Sequence, residues 1–100
     1  MDYSALVEYL RHKQYLSDLE KDILDTWNQL QQNPINMISA KNQAIQNSIK
    51  HPEIMPVIAA LPSTVVKPNQ DINELDVRYI LNNQFVLLAG KEWDDKTNSN

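Results

Sequence analysis

Leu16-Ser17-Asp18-Leu19-Glu20-Lys21-Asp22-Ile23-Leu24-Asp25-Thr26-Trp27-Asn28-Gln29-Leu30 is the stretch on which the fold class turns. Ser17 and Glu20 stand three apart, where a serine hydroxyl accepts from the N–H of the third helical residue and a glutamate reaches back to the cap. A helix therefore starts here. Leu16, Leu19, Ile23, Trp27 and Leu30 share one side of it, and Asp18, Asp22, Asp25 and Gln29 take the opposite side.

Toward the N-terminus, Tyr3, Leu6, Val7 and Leu10 have helical spacing, with Asp2 or Ser4 as N-cap, and predict a helix through about residue 14. Tyr9, Leu16, Ile23 and Leu30 also recur every seven residues, which leaves a second reading open: one unbroken helix over 2–32 that forms a coiled-coil hairpin or homodimer. His12 and Thr26, at the intervening core positions, oppose it.

Toward the C-terminus, Asn33-Pro34 reads as an N-cap followed by proline at the first helical position, and predicts a helix to Lys50. Its apolar stripe is Ile35, Ile38, Ile45 and Ile49, widened by Met37, Ala40 and Ala44; Asn36, Gln43, Asn47 and Lys50 face away. His51-Pro52 ends it. Pro52, Pro56, Pro62 and Pro68 then limit 53–61 to one or two helical turns and make 62–70 an extended connection. Asp71-Ile72-Asn73-Glu74 opens a last helix at Ile72, with Ile72, Leu75, Tyr79 and Val86 on one stripe and Val77, Leu81 and Leu88 on another, the pattern of a central helix buried on two sides. A short apolar strand after Asn82-Asn83 is the alternative. Gly90 reads as its terminator and 91–100 as a flexible acidic tail. The expectation is an all-α protein, a four- or five-helix antiparallel bundle forming one domain over 1–90.

Composition narrows the function. A single glycine in 100 residues removes the dinucleotide fingerprint, the P-loop and the nucleophile elbow together, since each needs several. The absence of cysteine excludes disulfides and makes the cytoplasm the default compartment. No apolar run approaches the roughly 20 residues of a membrane span, and the start of the chain lacks the pattern of a secretory signal. His12 and His51 are the only imidazoles and share no ligand spacing, while the five serines up to Ser63 have no nucleophile context. No catalytic, cofactor or metal site is expected.

Three candidate surfaces remain, the first of which also reads as a solvated helix face or as paired carboxylates for acid–base work. Asp18, Asp22 and Asp25 would dock a basic partner. Trp93 is either a lid on the domain or an anchor for a partner, whereas Trp27 belongs to the core. Lys41 and Lys50, with Gln43 and Asn47, form the third. Leu16 to Leu24 resembles the opening of a helix in helix-turn-helix proteins, and that resemblance implies a DNA-binding regulator whose amides read adenine. The net charge of −4, and a local balance of only +2 between Thr26 and Pro52, oppose nucleic acid. The expected function is a small non-catalytic protein–protein interaction module, an adaptor, assembly factor or inhibitor that covers another protein's surface; its size and mild acidity are compatible with an accessory protein of a bacterium or phage.

Overall fold

A computed structural model of the chain describes residues 2–57, 59–60 and 72–98, with side chains of the last segment described to Asp94. The described residues are all-helical: α1 (Tyr3–Arg11), α2 (Asp18–Gln31), α3 (Met37–Lys50), one 3-10 turn (Pro52–Ile54) and α4 (Glu74–Asn98). The proline-rich connection at 62–70 lies outside the described residues.

The caps behave as the sequence predicts for the first two helices. Asp2 caps α1 by accepting from the Ser4 and Ala5 N–H groups. At α2 both halves of the capping box form: Ser17 Oγ accepts from the Glu20 N–H at 3.1 Å, and the Glu20 carboxylate accepts from the Ser17 N–H at 2.9 Å. Residues 12–17 separate the helices, so 2–32 is two helices and not one.

At α3 the cap moves. Asn36, not Asn33, accepts from the N–H three residues on, Ser39, at 3.1 Å, and the helix starts at Met37. Its face also moves: Ala40, Ala44 and Asn47 are buried, while Ile38 and Ile49 are 77% and 66% exposed. The cause is packing distance and polar pairing. Alanine at 40 and 44 lets α3 approach α4 closely, and Asn47 finds hydrogen-bond partners there that an isoleucine could not use.

The core has two clusters. Leu6, Val7 and Leu10 of α1 meet Ile23 of α2 and Phe85, Leu88 and Ala89 of α4, with Trp27 packed against them. Ile35, Ala40 and Ala44 meet Val77, Ile80 and Leu81 of α4 in the second. Between them along α4 sits Gln84, fully buried, which donates to Ala44 O at 3.2 Å, Ser48 Oγ at 3.1 Å and Ala59 O at 3.3 Å. Asn47 Nδ2 donates to Gln84 Oε1 at 3.0 Å and to Thr26 Oγ1 at 2.8 Å. No buried side-chain polar atom among the described residues lacks a partner, as burial of amides requires.

The last helix is thus central, and it stays helical past Asn82, but only one of its two stripes is covered. Leu75, Tyr79 and Val86 face outward, at 75%, 61% and 41% exposed. Only three other helices pack beside α4 among the described residues, too few to enclose it. Its first turn is held by Asn73 Oδ1, which accepts from the Asp76 N–H at 2.9 Å. Gly90 does not terminate it: the residue lies within the helix without a positive φ, and 91–98 continue as helix where a flexible tail was expected.

Candidate functional site: an aromatic groove between α2 and α4

A cavity of about 490 Å³ opens on the surface where the N-terminal half of α4 passes α2. Tyr3 and Trp27 wall one side, and Leu75, Tyr79 and Asn82 of α4 form the other. Phe85 lines it from below, its ring 5.2 Å from Tyr3 in an edge-to-face pair and 5.3 Å from Trp27 in a tilted one. These pairs fix three rings against each other, so the wall is preformed.

Arg78 builds the end of the groove. Its guanidinium donates to Leu30 O at 3.0 Å and to Gln32 O, carbonyls at the C-terminal end of α2 that the helix itself leaves without partners. Arg78 Nε also donates to Glu74 Oε1 at 2.9 Å. The same carboxylate oxygen accepts from the Ile35 N–H at 3.1 Å, and these two bonds, the backbone one foremost, hold the Glu74 carboxyl below the ordinary glutamate range. The clasp fastens the start of α4 to the α2–α3 turn, and so sets the width of the groove.

The candidate surfaces read from sequence are not brought together. Asp18 and Asp25 are exposed, but Asp22, placed with them on a solvated face, is 3% exposed. The end of α3 lies over it: His51 Nε2 stands 2.7 Å from one carboxylate oxygen and Lys50 Nζ 3.7 Å from the other. Partial desolvation by its neighbours, and then the charge of Asp22, raise the carboxyl of the otherwise exposed Asp25. Asp22 therefore joins helices; it is not the middle of a docking stripe. Lys41 is half-buried, Lys50 is drawn to Asp22, and Asn47, a base-reading residue under the helix-turn-helix resemblance, is fully buried. Trp93 lies on the outward side of α4, 44% exposed.

The groove itself was not anticipated. Its signal was the apolar residues on both sides of α4, which sequence reading assigned entirely to the core. Among the described residues no cluster of histidine and carboxylate groups is suited to a metal ion, and no helix is long and apolar enough to cross a membrane. No family model, curated protein or solved structure matches this chain.

Proposed function

We propose that this chain is a non-catalytic binding module that receives another protein chain in the aromatic groove between α2 and α4. The observation that carries the reading is the continuity of the preformed cavity with exposed Leu75 and Tyr79 on its lip. Preformed concave sites with aromatic walls and a flanking arginine are where partner side chains are anchored, and Tyr, Trp and Arg dominate such anchoring. The DNA-binding alternative loses support because Asn47 is committed to Thr26 and Gln84 and Lys50 leans on Asp22.

The test is a photo-crosslinking aromatic residue placed at position 79 in the living source cell. Adducts to a polypeptide that disappear when Trp27→Ala opens the wall support the reading. Their absence, with the protein folded and abundant, overturns it.

A further inference from the structure

We infer, resting on that reading, that the residue seated in the groove is a lysine carried on a basic segment of the partner protein. Tyr3, Trp27 and Tyr79 put three π systems on one cavity, and the face of each ring carries the negative part of its quadrupole. Such walls attract a cation. The Tyr3 and Trp27 rings are inclined to Phe85 by 75° and 44°, so no one plane serves all of them. A rounded ammonium group meets several rings where a flat occupant meets one.

The charged groups at the end of the groove decide the sign of the occupant. Arg78 is engaged at all three of its side-chain nitrogens, with Leu30 O, Gln32 O and Glu74 Oε1, which leaves a partner carboxylate no paired donors to dock on. An anion is not served here. Glu74 differs: the Ile35 N–H and the Arg78 guanidinium all donate to its Oε1, and Oε2 has no partner among the described residues. Held below the ordinary glutamate range, this carboxylate is ionised at neutral pH and offsets the charge of Arg78.

The end of α2 adds to the same sign. Leu30 and Gln31, its last two residues, line the cavity, and a helix C-terminus carries the negative end of the dipole. No basic residue stands in that last turn. Gln31 and Asn82 also bring to the lining side-chain carbonyls able to accept from an ammonium. The lysine stem packs along Leu30 and Leu75 in a cavity of about 490 Å³ while its head stays among the rings and amides. At longer range, the net charge of −4 draws in a basic segment.

The test follows the indole N–H of Trp27 by nuclear magnetic resonance in the Trp93→Phe protein, which keeps Trp27 as its one tryptophan. The titrants are blocked tripeptides with lysine, norleucine or glutamate between two alanines. Lysine should bind about tenfold more tightly than norleucine, which has the same stem without the charge, and glutamate should leave the indole unmoved. Tyr79→Leu, at an exposed position, should cut the preference for lysine at least about threefold with the rest of the spectrum retained, and added salt should weaken lysine alone. Norleucine binding as tightly as lysine, glutamate binding more tightly, or no peptide moving the indole each overturns the inference, as does a preference indifferent to Tyr79. The crosslinker at position 79 separates its failure from that of the binding reading: adducts on lysine-bearing segments support both, and adducts only on segments without lysine overturn the lysine occupant alone. Binding of the lysine peptide with no polypeptide adduct in the cell overturns both and leaves the groove to a free small cation.

Discussion

The Asn47 side-chain amide donates to the Gln84 side-chain carbonyl at 3.0 Å in a place neither residue shares with solvent. That bond joins α3 to α4, and through Thr26 it includes α2. Burying two amides is unfavourable unless every donor and acceptor is met, and here they are met, so the network specifies one rotation of α3 over others that would bury more hydrocarbon.

Truncating the network should therefore cost more than truncating the exposed isoleucines. Asn47→Ala leaves Thr26 and Gln84 short of a partner and is expected to destabilise by about 2 kcal/mol, while Ile38→Ala and Ile49→Ala each stay within about 0.5 kcal/mol. Urea denaturation followed by circular dichroism measures all three. The opposite ranking would mean that α3 packs through its isoleucines after all.

Asp22→Lys distinguishes a docking face from a joint between helices. On a solvated face the substitution alters association and leaves folding intact. In this structure it puts a third basic group against Lys50 and His51 in a buried site, and a loss of about 3 kcal/mol or outright unfolding is expected. An unchanged melting temperature would contradict the geometry.

Acid should loosen the start of α2. Burial pushes the Glu20 carboxyl up, but the Lys13 ammonium at 2.6 Å, the Ser17 N–H and Glu92 together outweigh it and hold the group at about 2, against 4.5 for a free glutamate. A carboxyl depressed in the folded state contributes stability that is fully present above pH 4.5 and lost as pH falls toward 2. Glu74, also depressed, acts in the same direction, and Asp25, raised by partial desolvation and by Asp22, opposes them. The Glu20→Gln variant should lose less stability than the parent between those two pH values. Parallel pH profiles for the two proteins would refute the assignment.

The cap of α2 gives a smaller, local prediction. Ser17→Ala removes the acceptor for the Glu20 N–H and should cost about 1 kcal/mol. Ser17→Asp, which keeps an acceptor and suits the helix dipole, should recover most of it. Thermal melts of the pair decide the point.

What was legible in the sequence was what local chemistry controls. Ser17 and Glu20 announce a helix start because their partners are three residues away, and Asp2 does the same for α1. The helical class and the centrality of α4 follow from periodicity. The facing of α3 was not legible: a hydrophobicity pattern ranks Ile38 and Ile49 above Ala40, Ala44 and Asn47, and only tertiary contact reveals that small side chains and a paired amide suit the interface better. Asp22 was misplaced for a similar reason, since its burial depends on His51, 29 positions away in the chain. The groove escaped because Leu75 and Tyr79 look like core residues until the neighbouring helices are counted. Trp93, singled out in the sequence as a lid or an anchor, lies exposed on α4.

The position of α4 in both clusters has a consequence for the order of synthesis. Leu6, Leu10, Ile23, Ala40 and Ala44 are all translated before the helix against which they close, and none of the first three helices buries its apolar side fully without it. A chain truncated before residue 72 should thus remain open to protease, whereas one that includes α4 should be protected. Before α4 folds, the cell holds a chain of this protein with its apolar side chains uncovered, a natural client for whatever shields emerging polypeptides.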